Sequence, residues 1–199
     1  MAANELLERV LTELRGMAEF TVGAGSVTRP DGIVVPLDPD APLLTLGRLV
    51  QEDLCLMQKI GDQHVLTGAI LCFPASWSLD EKIGRPLTGI HVPVPQYDSN
   101  LAARVQRMFD RVRLDQPLWR ANALRYGDAI LHHPRREADP RERRADAPYV
   151  RSERQCLVRL AQSDAVVFSI HTYLVHDSSL SQDLRAALDQ HLGAAQAPA

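Results

Sequence analysis

The segment 81–98, with the sequence EKIGRPLTGIHVPVPQYD, places a lone histidine beside an arginine, two glycines and three prolines. Gly84 and Gly89 indicate that the backbone between them is bent rather than extended or helical. Pro93 and Pro95 each fix one φ angle and disfavour helix in the residue before them. We therefore expect His91 to be held on a stiff, irregular segment that can aim its imidazole at a ligand. The alternative is a turn-rich connector with an incidental histidine.

Polar residues on two predicted strands could also do chemistry. Glu52 and Asp53 open a mostly apolar strand and, because side chains alternate, they point to opposite faces. His171 and Tyr173 share one face of a later strand, together with Ser169. A solvated strand end is the alternative for the two carboxylates. For the later strand, a pocket wall and a solvated face are both open.

The hydrophobic pattern predicts the elements that position these residues. Helices are expected near 3–15, 43–49, 98–112 and 177–191, with a short one that starts at a capping box, Ser78–Glu81, and ends at Gly84. Hairpins are expected over 20–37, 51–73 and 152–174, with another strand over 117–124 and a surface loop over 133–148. One apolar stripe of the 98–112 helix is assigned to the core: Leu101, Val105, Met108, Phe109 and Val112.

The connections between successive strands decide the fold class. The turns are too short for parallel crossovers, so the sequence predicts an α+β fold with an antiparallel sheet of about five to six strands, covered by helices on one side. Residues 1–48 are expected to form an N-terminal helix, a small hairpin and a connector. Residues 49–192 are expected to form the main domain, and residues 193–199 a disordered tail.

Composition limits the classes of function. The 199 residues are 45% hydrophobic, which suffices for one domain with a substantial core. No stretch has the roughly 18 apolar residues of a membrane span, and the N-terminus does not resemble a secretory signal, so we expect a cytoplasmic protein without membrane contact. The formal charge of −3 argues against a nucleic-acid partner, because phosphate binding requires a concentrated basic surface.

Cysteines and short motifs exclude several kinds of site. Cys55, Cys72 and Cys156 lie far apart among apolar residues and form no CxxC pair, which favours buried, reduced thiols over a zinc site or disulfides. The sequence has no GxGxxG, Walker, HExxH or GxSxG motif. Neither a nucleotide-binding protein nor a hydrolase is therefore indicated.

A set of longer strings in a fixed order is more specific than any single motif. They are QEDLC, CFPxxW, KxGRPLxxIHxPVP, WRxN, ERQ and IxTY. In this combination the chain resembles the heme-dependent oxidative N-demethylase alpha-subunit-like family, from about Leu49 to Leu174. The resemblance implies a PAS-like fold, in which a five-stranded antiparallel sheet and its helices surround a heme b pocket. It also implies O2-dependent demethylation of a small amine, with electrons from a separate flavin and iron–sulfur reductase component.

The resemblance also implies roles for the residues that bind the cofactor. Heme iron needs an axial ligand, usually an imidazole or thiolate, that is held rigidly. His91 is the position to which the family's axial-ligand role is carried over. Arg85, Arg120 and Arg154 are candidates for pairing with the heme propionates, because arginine binds carboxylates in a bidentate way.

Catalytic roles are suggested only by the strand faces. Glu52 or Asp53 could bind the ammonium group of an amine. His171 or Tyr173 could donate protons to bound oxygen. In this interpretation His91 faces a pocket walled by the strand that carries His171 and Tyr173. Two other functions remain open: a PAS-type heme sensor or ligand-binding module without turnover, and a scaffold subunit that holds no heme.

Overall fold

The computed structural model describes residues 1–92, 97–139 and 147–196, with side chains described as far as Gln190. These residues contain helices and strands in mixed order, which confirms the predicted α+β class. The order is α1 (Ala2–Leu14), β1 (Thr21–Val22), β2 (Ser26–Thr28), β3 (Val34–Pro36), α2 (Pro42–Leu49), β4 (Glu52–Ile60), β5 (Gln63–Ile70), a 3-10 turn (Leu79–Glu81), α3 (Leu87–Ile90), α4 (Ser99–Arg111), β6 (Leu118–Tyr126), β7 (Tyr149–Arg159), β8 (Val166–His176), a 3-10 turn (Asp177–Ser179) and α5 (Gln182–Gln196).

Strands β4 to β8 form a five-stranded antiparallel sheet in the order β5–β4–β8–β7–β6. The hairpin predicted over 51–73 is β4 and β5, which ends earlier, at Ile70, and the later predicted hairpin is β7 and β8. The residues predicted as one small hairpin over 20–37 instead form a three-stranded sheet, β1–β2–β3, because the chain reverses twice. The helices α3 and α4 lie between β5 and β6 in the chain.

The alternation of side chains gives the main sheet two faces with different neighbours. Leu54 and Val167 point to the face on which α1 and α2 pack, which we call the N-terminal face. Cys55 and Phe168 point to the opposite face, which packs against α3 and α4 and which we call the site face. The N-terminal residues and the main sheet thus share one apolar core, in which each fully buried leucine contributes roughly 2 kcal/mol.

Two predictions for the segment before His91 are wrong. Residues 87–90, expected to be irregular, form the single helical turn α3, which Pro86 precedes at a position where the missing N–H costs nothing. The Ser78 capping box is not formed, and the residues after it make only a 3-10 turn. The carboxylate of Glu81 accepts a hydrogen bond from the backbone N–H of Glu137 at 3.0 Å instead. A tertiary contact has replaced the local one.

Helix α4 agrees with its prediction at the cap and in part along the stripe. Asp98 accepts a hydrogen bond from the Leu101 N–H at 2.7 Å. Phe109 and Val112 are buried, but Met108 is 40% exposed because it lies at the edge of the apolar stripe.

The C-terminal helix begins and ends later than predicted. Residues Asp177–Ser179 form a 3-10 turn, and α5 runs from Gln182 to Gln196. Residues 193–196, predicted as disordered, are therefore helical, in agreement with the high helix propensity of the alanines there. Residues 197–199, the prolines at 93 and 95, and residues 140–146 of the predicted loop lie outside the described residues. In the part that is described, no helix is both long and apolar enough to cross a membrane.

Candidate functional site

His91 directly follows α3, and its ring is oriented by that helix. Its Nδ1 atom lies 2.8 Å from the backbone oxygen of Leu87. A carbonyl oxygen can only accept, so Nδ1 carries the proton and Nε2 keeps its lone pair. Metal-binding histidines typically donate their second ring N–H to such an acceptor, which fixes both tautomer and orientation. The geometry therefore leaves Nε2 available as a ligand.

The charge state of His91 fits the same role. Burial lowers the pKa of His91, the hydrogen bond to Leu87 acts in the opposite direction, and the positive charges of Lys82 and Arg120 lower the pKa further. The imidazole is consequently neutral near pH 7, and only a neutral imidazole can donate a lone pair to a metal.

The ring of Tyr97 stacks on the imidazole of His91. Their centroids are 4.3 Å apart and their planes differ by 13°. The Tyr97 hydroxyl is buried, and no described residue hydrogen-bonds to it. Burial raises the pKa of this phenol, so it stays protonated and can donate a hydrogen bond. An unpaired buried hydroxyl costs about 1–3 kcal/mol, which a bound group with an acceptor could recover.

Lys82 ties the end of α3 to a neighbouring loop. Its side chain is almost fully buried, and its Nζ donates to the backbone oxygen of Ile90, the residue before His91, at 2.7 Å. Nζ also pairs with the carboxylate of Glu137, which lies 3.5 Å from an Arg85 guanidinium nitrogen. The cations Lys82 and Arg85 thus share the carboxylate of Glu137 close to α3.

The turn before α3 is bonded to the edge of the sheet. Gly84 has a φ of +77°, a value that favours glycine. Its N–H donates to the Leu66 oxygen at 2.8 Å, and the Leu66 N–H donates to the Arg85 oxygen at 3.0 Å. The segment that leads to His91 is therefore anchored on β5, and the predicted glycine turn at position 84 is confirmed.

A connected row of polar side chains crosses the site face on β6 and β7. Arg120 Nε donates to Gln155 Oε1 at 2.8 Å, and Gln155 Nε2 donates to Glu153 Oε2 at 3.0 Å. Asn122 Nδ2 donates to the same Glu153 oxygen at 3.2 Å. Gln155 and Glu153 are buried. The predicted propionate partner Arg120 thus stands at the end of a hydrogen-bonded chain that fixes its guanidinium group.

The next residue of the site face on β7, Arg151, is almost completely buried. It donates to the backbone oxygens of Leu131 and Phe73 and to the Thr172 hydroxyl, and its Nε lies 3.6 Å from Glu153 Oε1. This guanidinium group joins β7 to two loops. It explains why Glu153 can stay buried, since a buried carboxylate needs a paired cation.

Four other predicted site residues form a second group, on the N-terminal face. His171 Nδ1 lies 3.1 Å from Glu52 Oε1, and the ring of Tyr173 lies 4.5 Å from the His171 ring. Arg154 faces His171 across the β7–β8 ladder and is exposed. The structure thus brings four of the predicted residues together.

These four residues are not placed in a common pocket with His91. The expectation that His171 and Tyr173 line the pocket of His91 has to be corrected. Side chains alternate along a strand, and these two point to the N-terminal face. Strand β8 does line the site face, but through Phe168 and Ile170, whose side chains alternate with those of the predicted pair.

Asp53 is the one predicted catalytic residue on the site face, and its carboxylate already accepts hydrogen bonds from the backbone. Oδ1 accepts hydrogen bonds from the backbone N–H groups of Cys72 and Phe73, at 2.6 and 2.8 Å. Burial raises the pKa of Asp53, although these two hydrogen bonds oppose the shift. The side chain acts as an anchor for the loop after β5, which leaves it poorly placed to hold an amine.

The cysteines were expected to be buried, reduced thiols. All three are free, but only Cys55 is buried, and Cys72 and Cys156 are partly exposed. Burial raises the pKa of Cys55 to about 12, so this thiol is neutral at physiological pH. Among the residues whose positions are described, no group of three or more His, Cys, Asp or Glu side chains is arranged to hold a metal ion.

We expect stability to fall as the pH is lowered from 7.5 to 5.5. Burial lowers the pKa of His91 and, likewise, of His64, so below about 6.5 the unfolded chain binds protons that the folded chain does not. The carboxylates with lowered pKa values titrate at lower pH. Urea midpoints across this range measure the effect. A slope unchanged in the double variant His64→Gln with His91→Gln would contradict the assignment.

Sequence reasoning missed Tyr97, Lys82, Glu153 and Gln155. A signal for the last two exists: ERQ and WRxN are paired strands in which every second residue shares a face. Arg120 and Asn122 therefore lie on the same face of the sheet as Gln155 and Glu153. Lys82 and Tyr97 lie in the segment 81–98 itself, but this segment has no periodic pattern that would have marked them.

Comparison with known protein families agrees with the strings quoted from the sequence. A family model described as haem-dependent oxidative N-demethylase, alpha subunit-like, matches residues 5–194. The match is wider than the resemblance noted from about 49 to 174, and it includes α1 and the small N-terminal sheet. The chain belongs to the haem-dependent oxidative N-demethylase, alpha subunit-like family.

Proposed function

We propose that the chain binds heme b on the site face, with His91 Nε2 as the axial ligand, and that it takes part in oxidation of a small amine. The observation that carries the proposal is the Nδ1 contact of His91 with Leu87, which leaves a neutral imidazole with a free lone pair. Family membership supports a haem-dependent reaction of the N-demethylation class.

The residues around His91 fit a heme. Heme carries two propionates, and Arg85 and Arg120 supply positive charge beside the histidine segment. The Tyr97 hydroxyl has no partner among the described residues, so it can donate to an oxygen of the bound group. Arg154, the third predicted propionate partner, lies on the N-terminal face, so we assign the propionates to the other two arginines.

When bound, the heme would supply oxygen activation and electron transfer. The protein supplies orientation: Leu87 holds the His91 ring, and Lys82 holds the Ile90 carbonyl in front of it. Arg120 and Lys82 give the site a positive potential, which favours an anionic macrocycle and disfavours protonation of His91.

The PAS-like description and the electron supply are further parts of the proposal. The order of the main sheet, with β5 at one edge and β6 at the other, and the packing of α3 and α4 on the site face support a PAS-like sheet. The words alpha subunit in the family description support a partner subunit, and we propose a flavin and iron–sulfur reductase for that role. The roles suggested for Glu52, Asp53, His171 and Tyr173 stay predictions.

Reconstitution with hemin tests the proposal. We expect a stoichiometric Soret band from the purified chain, and formaldehyde from methylated amines when O2 and an electron donor are added. A Soret band without formaldehyde, under conditions in which the heme is reducible, would favour the sensor function. If no Soret band forms with the folded chain, the proposal is overturned and the scaffold function remains.

A further inference from the structure

The two edges of the main sheet differ in how they are protected. The β5 edge is covered: Val65 forms a bridge with Pro86, and the Leu66 N–H and C=O are both bonded to the turn at Gly84 and Arg85. The His64 N–H is also satisfied, by the side-chain oxygen of Gln106 at 3.1 Å. The backbone groups of Leu66, in the middle of β5, are therefore not free to pair with an added strand.

The β6 edge has no such cover. Strand β6 pairs with β7 without a register break from Leu118 to Tyr126, and its other backbone side makes no hydrogen bond to any described residue. Leu118 and Leu124 are each 42% exposed, and Trp119 is 72% exposed. The strand contains no proline and no lysine. A long, regular, partly apolar edge strand is a template for pairing with another strand.

We propose that β6 pairs antiparallel with β6 of a second copy of the chain, so that the two sheets become one continuous ten-stranded sheet. The second copy is favoured because its own β5 edge is covered, which leaves β6 as the edge that it can offer. Pairing of identical edges has twofold symmetry and closes as a dimer, whereas pairing of β6 with β5 would continue into a filament.

The sequence of β6 is self-complementary about Ala121. With the twofold axis at this residue, Leu118 stands opposite Leu124 of the second copy, and both face the site side. Arg120 stands opposite Asn122 of the second copy, and Trp119 stands opposite an alanine, so no like charges are directly opposed. The small side chain on the axis allows the strands to approach closely.

This register also leaves the end of β6 undisturbed. Arg125 lies outside the paired stretch 118–124, and its guanidinium group is held by Asp177 and Asp189 at 3.0 and 2.8 Å. The contact of β6 with α5 is therefore compatible with the dimer.

Sedimentation velocity of the full chain over a wide concentration range tests the proposal. We expect a reversible monomer–dimer equilibrium. Leu124→Lys should weaken the dimer about tenfold or more, because it places an ammonium group opposite a leucine. Leu114→Lys is the matched control, since Leu114 is 52% exposed and lies outside the strand, and it should leave the dimer unchanged.

A charge-pair rescue tests the register. Leu118→Glu combined with Leu124→Lys should restore dimerisation, because the introduced carboxylate of one copy faces the introduced ammonium of the other. Within one copy the two positions are about 20 Å apart along the strand, too far to pair. A chain that stays monomeric at every concentration, or a double variant as weak as Leu124→Lys alone, would overturn the proposal. Far-UV circular dichroism checks that each variant is folded.

Discussion

Replacing His91 with alanine is expected to abolish axial imidazole ligation of reconstituted heme and to reduce heme retention about tenfold or more. The reason is geometric: the Leu87 carbonyl fixes the proton on Nδ1, so Nε2 is the atom that can bind iron. Absorption and electron paramagnetic resonance spectra of the reconstituted chain measure the loss. Added imidazole should restore the axial signature in the His91→Gly variant, because the removed ring leaves space for it beside Tyr97.

A matched control separates ligation from a general effect of losing a histidine. His176 is exposed, and its Nδ1 atom bonds to Ser178 at the far end of β8. His176→Ala should therefore keep the spectrum of the original chain. If His91→Ala retains heme with an unchanged axial spectrum, the assignment of His91 is refuted, although heme binding itself would stand.

Arg151→Met is expected to lower the free energy of unfolding by about 3–5 kcal/mol, the usual cost of removing one partner of a buried ion pair. The Arg151 guanidinium group holds two loop carbonyls and the Thr172 hydroxyl, and it is the cation beside buried Glu153. Such a loss is a large share of the stability of a typical domain. Urea unfolding followed by circular dichroism measures it.

Two further variants identify the cause of this loss. Arg111→Met changes an exposed arginine of α4 and should cost less than about 0.5 kcal/mol. Glu153→Gln, added to Arg151→Met, should recover part of the stability, because it removes the unpaired buried charge. A cost below about 1 kcal/mol for Arg151→Met alone would place the pair among weak surface pairs and contradict the buried network.

Much of the fold followed from local patterns. The strands of both long hairpins were predictable because their apolar and polar residues alternate, and a one-residue shift would reverse every side chain. The Asp98 cap and the turn at Gly84 were predictable because each needs only residues close in sequence. The capping box at Ser78 failed for the opposite reason: its acidic partner is used by a backbone group 56 residues away.

The candidate site was predictable only in part. His91 was identified from its stiff surroundings and from the family strings, but its neighbours were not. The polar character of His171 and Tyr173 suggested that they lie beside His91. Strand alternation shows that they share one face, but the sequence does not show which face of the sheet meets α3. Of the side chains that do surround His91, Lys82 and Tyr97 come from the same segment, 81–98, and Arg120 comes from β6.

By itself, the sequence determined the class of fold, the family and the histidine most suited to bind a cofactor, because these depend on periodicity and on ordered strings of residues. The tertiary structure decided which side of the sheet carries the site, since that depends on which helices cover each face. It also decided the charge and tautomer of His91, which follow from burial and from the position of the Leu87 carbonyl. Finally, only the tertiary structure shows that β5 and β6 are the two edges of the main sheet and that the turn at Gly84 and Arg85 covers β5.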